Sequence, residues 1–99
     1  MALTGRQIRQ LRSMAHHLDP IVTVGKQGVA PAVVDQANDA LETRELIKCS
    51  ALDSSGLSVR EAAEQLASRT HSEVVQVIGR RFSLYRETSR EDVEKIRLD

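Results

Sequence analysis

Aromatic residues are almost absent from this sequence, whose 99 residues include one Phe, one Tyr and no Trp. RNA-binding sheets of the RRM and OB types stack bases on exposed aromatic rings. With only Phe82 and Tyr85 available, the composition argues against a base-stacking sheet of either type. Hydrophobic residues still make up 40% of the chain, so the sequence predicts a core built from aliphatic side chains.

Cysteine and long apolar runs are equally scarce. Cys49 is the only cysteine, so no internal disulfide is possible, and its apolar strand context predicts a small core residue. No apolar stretch approaches the ~20 residues that span a bilayer, and no signal peptide is recognisable. We therefore expect a cytosolic location and no membrane partner.

Charge is balanced overall, with 14 basic and 14 acidic residues, but it is not evenly distributed. Residues 1–28 carry four basic residues and one acidic residue, whereas residues 35–45 carry four acidic residues and one basic residue. A net charge of zero does not by itself indicate a nucleic-acid partner. The segregation predicts separate basic and acidic surfaces on a chain long enough for one compact domain.

One short motif, Gly-Lys-Gln-Gly at residues 25–28, follows a β-branched run at residues 21–24 and precedes a helix signal at Pro31. Glycines let the backbone turn tightly and approach a partner closely, and the next helix offers free N–H groups and its positive dipole end. Such a G-x-x-G loop suits a nucleic-acid backbone, as in KH modules. Taken alone, these four residues fit an ordinary strand-to-helix turn with an exposed lysine better.

The first helix signal opens with a capping box formed by Thr4 and Gln7. Apolar residues then recur at helical spacing on one face. The other face carries a basic stripe made up of Arg6, Arg9, Arg12 and His16. No acidic residue lies between Arg6 and Leu18, so no i,i+4 ion pair neutralises this stripe. It is open to two readings, a binding surface or an ordinary charged helix face.

The rest of the chain alternates helix and strand signals, in the overall order α-β-α-β-α-β-β. The last two strands, around residues 73–78 and 81–86, are joined by a tight turn. Helix-linked strands imply crossover connections, and the hairpin adds an antiparallel pair. The prediction is an α/β (α+β) fold, a single compact domain whose four-stranded mixed sheet is packed with helices. The β-branched strand at residues 21–24 is predicted to be buried on both faces.

The second helix signal carries an acidic face formed by Asp35, Asp39 and Glu42, which we expect to be solvated. This face would repel phosphate, so a nucleic acid should meet only the N-terminal end of the helix. The sequence divides into a domain at residues 1–87 and a charged tail at residues 88–99. The tail is open to two readings, a short helix after Ser89 or an extended arm.

With these elements in place, the sequence closely resembles the CRM domain family, the chloroplast RNA splicing and ribosome maturation domain, whose stand-alone bacterial form is the YhbY type. The segments that carry the resemblance are residues 3–7, 11–18, 20–28, 40–42, 45–48, 75–80 and 84–86. Each segment is short, but their order and spacing make the match specific over essentially the whole chain.

The resemblance implies a KH-like α/β fold and RNA binding through the G-x-x-G loop and adjacent basic surface. For single-domain bacterial members it implies association with precursors of the large ribosomal subunit. Family members are often clearly basic, whereas this chain is neutral and has Asp19 where a lysine is common. That departure bears on affinity and salt tolerance more than on the type of partner.

We hypothesise a backbone clamp in which the loop N–H groups and Lys26 hold phosphates while nearby basic side chains extend the contact. The predicted RNA-binding residues are Gly25, Lys26, Gln27, Gly28, Arg6, Arg9, Arg12, His16, Arg80, Arg81 and Arg86. Arg80 has a second reading, as a residue of the hairpin turn.

Other chemistry has little support. The Walker spacing G-x-x-x-x-G-K-[ST] is absent, the histidines and Cys49 lack metal-ligand spacing, and the acidic residues follow helix surfaces rather than a catalytic arrangement. We expect no enzymatic activity, cofactor, metal or DNA partner. Two alternatives to ribosome assembly stay open. One is a small-RNA or mRNA binder that uses the same loop, and the other is a protein-interaction domain that uses the acidic second helix.

Overall fold

Helices and strands follow one another in the order that the sequence predicts, within the residues that the structure describes, 3–98. In this computed structural model the elements are α1 (Gly5–Ala15), β1 (Pro20–Val24), α2 (Pro31–Arg44), β2 (Leu46–Ala51), α3 (Val59–Thr70), β3 (Glu73–Ile78) and β4 (Arg81–Tyr85). A short 3-10 turn, Asp53–Ser55, lies between β2 and α3. No helix among the described residues is both long and apolar enough to cross a membrane.

Side chains cap two of the helices at their predicted starts. The Thr4 hydroxyl accepts a hydrogen bond from the Gln7 N–H, and the Gln7 side chain accepts one from the Thr4 N–H. Ser58 and Glu61 repeat this arrangement at the start of α3. Both capping boxes satisfy backbone donors that a helix start would otherwise leave unpaired.

The sheet has the strand order β1-β2-β4-β3, so β1 and β3 are its two edges. Strand β1 pairs in parallel with β2, and β4 runs antiparallel to both of its neighbours. The predicted mixed sheet and terminal hairpin are therefore confirmed. Because β1, β2 and β3 point the same way, the loops after Val24, Ala51 and Ile78 lie at one end of the sheet, which we call the loop end.

Buried side chains form two clusters, one on each face of the sheet. The larger cluster joins α2 and α3 to one face, with Leu41, Leu66 and Phe82 almost fully buried. The smaller cluster joins α1 to the opposite face, which we call the α1 face, through Leu11 and Tyr85. The three layers enclose the aliphatic core that the composition predicts.

The prediction that strand β1 is buried on both faces was wrong. Ile21 and Thr23 are exposed, whereas Val22 and Val24 are fully buried, so the strand is buried on one face only. The sequence was ambiguous because β-branched residues suit both exposed and buried strand positions. Strand β1 is an edge strand, and α1 packs against β2, β3 and β4, which leaves this part of the α1 face open.

The segment after β4 is irregular chain, and no helix follows Ser89 within the described residues. The segment is nevertheless anchored, because the Thr88 N–H donates to the Glu45 carboxylate at 2.7 Å and the Gln10 side chain donates to the Arg97 carbonyl at 2.6 Å. Ile96 and Leu98 of this segment pack against the smaller cluster, which contains Leu11 and Tyr85. The outermost residues of the predicted domain and tail, 1–2 and 99, lie outside the described residues.

Candidate nucleic-acid interface

The G-x-x-G loop joins β1 to α2, as the sequence predicts. The Gly28 N–H donates to the Gly25 carbonyl at 2.8 Å, which closes a tight turn, and Gly28 has a φ of +68°. That left-handed conformation favours glycine. Lys26 and Gln27 at the tip are exposed, and their side chains make no hydrogen bond or ion pair within residues 3–98. The tip is therefore free to contact a partner.

The start of α2, directly behind this loop, carries no side-chain cap. Ala30 occupies the N-cap position without a side-chain hydrogen bond, and Pro31 follows it. No acidic residue lies in the first turn of the helix. The positive end of the helix dipole therefore lies beside the loop with no carboxylate in the same helical turn, which suits an anionic group.

Two of the predicted basic residues bind the protein itself. The Arg12 Nε donates to the Val75 carbonyl at 2.9 Å, at a bulge where the pairing of β3 with β4 shifts register. The Arg80 Nε donates to the Ala51 carbonyl at 2.8 Å and lies 3.5 Å from the Asp53 carboxylate. Each arginine thus donates a hydrogen bond to a backbone carbonyl of a strand. For Arg80, this contact supports its interpretation as a residue of the hairpin turn.

Arg86 makes more internal hydrogen bonds than Arg12 or Arg80. Its guanidinium donates to the Thr70 carbonyl at 2.6 Å, to the Asn38 side chain at 2.9 Å and to the Glu42 carboxylate at 3.0 Å, and the side chain is 21% exposed. Hydrogen bonds from Ser89 and Arg86 lower the pKa of the Glu42 carboxyl. Glu42 therefore does not belong to a freely solvated acidic face, which corrects that expectation. The prediction that Arg86 contacts RNA stays untested beside this internal role.

The other predicted basic residues are exposed, and their side chains have no hydrogen bond or ion pair in the part of the chain that the structure describes. They are Arg6, Arg9, His16, Lys26 and Arg81. Exposed basic side chains of this kind can bind phosphate without breaking an internal hydrogen bond or ion pair.

A cavity of about 230 Å³ on the α1 face brings together side chains from three strands and the end of α1. It is lined by His16, Lys48, Gln76, Ile78, Arg81, Phe82 and Ser83. The strand register explains this grouping, because Ser83 on β4 pairs with Lys48 on one side and with Gln76 on the other. Two predicted site residues, His16 and Arg81, thus meet at one place.

Lys48, Gln76 and Ile78 were missed by the sequence reasoning, which placed them in strands without assigning them to the site. A signal for Lys48 existed in the alternation of Leu46, Lys48 and Ser50 along one face of β2. Polar residues at every second position of a strand indicate a face that is partly solvated. The structure shows that α1 covers this face near Leu46 but leaves Lys48 and Ser50 partly exposed.

The predicted contact regions lie over different parts of the sheet. The G-x-x-G loop follows β1, whereas Arg12 is hydrogen-bonded to β3. The cavity lies over β2, β4 and β3. A ligand that contacts both the loop and the basic stripe can cross the open part of the α1 face.

The structure also places the residues that could ligate a metal ion and the cysteine of the sequence, Cys49. Within residues 3–98, no group of three or more His, Cys, Asp or Glu side chains is arranged to hold a metal ion. Cys49 is a core residue, as predicted, and burial raises the pKa of its thiol to about 12. The thiol is therefore protonated and weakly nucleophilic near neutral pH.

Comparisons with known proteins agree with the arrangement of elements. A model of the CRS1/YhbY (CRM) domain family matches residues 3–86. The chain is 48% identical over 86 residues to Probable RNA-binding protein YqeI of Bacillus subtilis, covering 87% of this chain and 90% of that protein. A probable RNA-binding protein of Pseudomonas aeruginosa is 34% identical over 86 residues, covering 87% of this chain and 83% of that one.

A solved structure shows the same fold. The solution structure of a hypothetical protein from Staphylococcus aureus, described as a candidate RNA-binding protein, matches with a TM-score of 0.73. The two chains are 42% identical, and the match covers 96% of this chain and all of the other.

Proposed function

Because the chain belongs to the CRS1/YhbY (CRM) domain family, we propose that it is an RNA-binding protein acting on precursors of the large ribosomal subunit in the cytosol. The RNA-binding part is supported by relatives that are themselves named RNA-binding proteins. The choice of large-subunit precursors is supported by the resemblance of this chain to the single-domain bacterial members of the family.

The G-x-x-G loop carries the proposal. Lys26 and Gln27 stand free at its tip, and the uncapped start of α2 lies directly behind them. Backbone N–H groups and one lysine can hold phosphate oxygens at this point, and the free basic residues of α1 can extend the contact. Phosphate contacts position an RNA without reading its sequence.

This clamp predicts strong salt dependence. If ~3 to 5 phosphates of a single strand are neutralised, the logarithm of affinity should fall with the logarithm of salt concentration at a slope of roughly −2 to −3.5. A protein-interaction domain that uses the exposed acidic residues of α2 would not bind RNA with this dependence on salt concentration. Salt dependence therefore separates the proposal from that alternative.

The direct test is sedimentation of the tagged protein from a cell lysate at low and moderate salt. We expect co-migration with free large subunits or their precursors at low salt and release at moderate salt. The Lys26→Asp, Gln27→Asp double variant should stay at the top of both gradients. A matched control, Arg60→Asp with Gln65→Asp, makes the same charge change at exposed positions of α3 and should still co-migrate.

The outcomes separate the parts of the proposal. Wild-type protein at the top of both gradients would overturn the ribosomal assignment, and RNA recovered with the protein would then identify a small-RNA or mRNA partner. Equal RNA binding by wild type and the loop double variant would overturn the clamp. The loop variant should melt within a degree or two of wild type, since the Lys26 and Gln27 side chains are exposed and make no hydrogen bond or ion pair among the described residues.

A further inference from the structure

We propose that the cavity on the α1 face binds one unpaired nucleotide, so that this part of the sheet reads a base while the G-x-x-G loop holds the backbone. The inference rests on the proposed RNA-binding function and adds a second contact site to it. The residues that carry the inference are Lys48, Gln76, Ile78 and Arg81, and His16 at the end of α1 also lines the cavity.

The first argument is charge. Lys48 and Arg81, both positively charged, line the cavity, and no acidic residue lines it among residues 3–98. Their side chains make no hydrogen bond or ion pair with the described part of the protein, unlike those of Arg12 and Arg80. Cations that converge without a protein partner are complementary to an anionic ligand such as a nucleotide phosphate.

The second argument is the presence of groups that suit a base. The Gln76 amide offers both donors and an acceptor, and it has no side-chain partner among the described residues. Ile78 is 56% exposed, more than Met14, Ile21 or Leu52, the other exposed large apolar residues. A base can pack on Ile78 or against the plane of the Arg81 guanidinium while its edge bonds to Gln76. Phosphate alone would not use these groups.

The third argument is size. At about 230 Å³, the cavity is smaller than the ~300–1,000 Å³ typical of pockets for drug-sized ligands. It has room for one base and is open to solvent on one side. Bases in a duplex are stacked and hydrogen-bonded to their partners, so they cannot enter it. The cavity therefore favours a loop, bulge or single-stranded segment.

The fourth argument is position. An RNA strand that contacts the G-x-x-G loop beyond β1 and reaches the basic stripe on α1 can pass over β2 and β4. Lys48 and Arg81 lie on those two central strands. A strand that follows this path passes over the cavity and can place one nucleotide in it.

The test uses fluorescence anisotropy with four labelled homopolymers, rA, rC, rG and rU, each of about 12 nucleotides, together with one mixed sequence as a single strand and as a duplex. The variants are Gln76→Ala and Lys48→Ala. Gln65→Ala and Arg60→Ala are matched controls at exposed positions of α3, behind the opposite face of the sheet. All four variants should have the melting temperature of the wild type, because these side chains make no hydrogen bond or ion pair among the described residues.

We expect the wild type to prefer one homopolymer and the single strand over the duplex. Gln76→Ala should reduce the preference for that homopolymer by roughly two- to tenfold, the value of one or two hydrogen bonds. Lys48→Ala should weaken binding of the single strand more than binding of the duplex. The α3 controls should retain wild-type affinity and preference.

Two results would overturn the inference while leaving the proposed function intact. One is a wild type that binds all four homopolymers equally but loses affinity in the Lys26→Asp, Gln27→Asp variant. The other is a Gln76→Ala variant with an unchanged base preference. If wild type and loop variant both fail to bind any of these RNAs, the proposed function fails as well.

Discussion

The Glu45 carboxylate accepts a hydrogen bond from the backbone N–H of Ile96, with the two atoms 2.6 Å apart. Its other oxygen accepts from the Thr88 N–H at 2.7 Å, and the residue is fully buried. Glu45 follows α2 with a φ of +65°, a conformation that is uncommon for residues other than glycine. One buried side chain thus fastens the C-terminal segment to the junction of α2 and β2.

Glu45→Gln should therefore loosen this segment. An amide accepts through one oxygen only, so its NH₂ group would face a backbone N–H and leave that donor unpaired. We expect the free energy of unfolding to fall by about 1–3 kcal/mol in urea denaturation. Trypsin should also cleave the native variant faster at Arg90 and Lys95. Glu64→Gln, at an exposed position of α3, is the control, and equal stability of the two variants would contradict the anchoring role.

The Glu42 network predicts a pH dependence. The folded state lowers the pKa of Glu42, first through Ser89 and then through Arg86. A carboxyl group with a lowered pKa stabilises the fold at pH values above its unfolded pKa and loses this contribution as the pH falls through its folded pKa. The melting-temperature difference between wild type and Glu42→Gln should therefore be largest near neutral pH and shrink below about pH 4.

Asp39→Asn is the matched comparison for Glu42→Gln, because the Asp39 side chain is exposed on the same helix and has no partner within residues 3–98. Its difference from wild type should change little with pH. Glu61, whose pKa is also lowered, titrates in every variant and so cancels from the comparison. If the melting-temperature difference between wild type and Glu42→Gln stayed constant with pH, the ionised Glu42 carboxylate would not be what stabilises the fold.

The two loop glycines should respond differently to substitution. A Cβ at Gly25 would lie 3.8 Å from the Leu52 Cδ1, an ordinary contact, whereas Gly28 has open space around it but a φ of +68°. Gly28→Ala should therefore cost about 1 kcal/mol, Gly28→Asn less, and Gly25→Ala close to nothing, as measured by urea denaturation. Equal losses at Gly25 and Gly28 would mean that backbone conformation is not what requires glycine at Gly28.

Local signals account for what the sequence predicted correctly about the fold. The capping pairs at Thr4 and Ser58 lie within four residues, and the hairpin turn at Gly79 joins adjacent strands, so short segments encode them. The exposure of Ile21 could not be predicted in the same way. It depends on the position of β1 at a sheet edge and on how far α1 reaches across the sheet, which no segment of a few residues specifies.

The site was predicted less completely because side-chain partners lie far apart in sequence. Arg86 looks like a surface residue at the end of a strand until α2 and α3 bring Asn38 and Thr70 beside it. Lys48 looks like a routine strand lysine until β3 and β4 place Gln76 and Arg81 at the same cavity. The residue types were visible in the sequence, but their grouping is a consequence of the sheet order.

Arg9 and Arg12 belong to one predicted stripe, yet the structure separates their roles. The Arg12 Nε is bonded to the Val75 carbonyl, whereas the Arg9 side chain has no hydrogen bond or ion pair within residues 3–98. Arg12→Ala should lower the free energy of unfolding by about 1 kcal/mol, because it leaves the carbonyl of the bulge without this donor. Arg9→Ala should stay within about 0.5 kcal/mol of the wild type.

RNA binding then tests the stripe without interference from folding. Arg9→Glu should weaken binding at an unchanged melting temperature, and it should reduce the magnitude of the logarithmic salt slope by about 1 if Arg9 contacts one phosphate. Arg60→Glu makes the same charge change on α3 and should leave the slope unaltered. If Arg9→Glu binds RNA as the wild type does, Arg9 belongs to an ordinary solvated helix surface and not to the contact. Arg9 suits this test because it can be changed without removing an internal hydrogen bond or ion pair among the described residues.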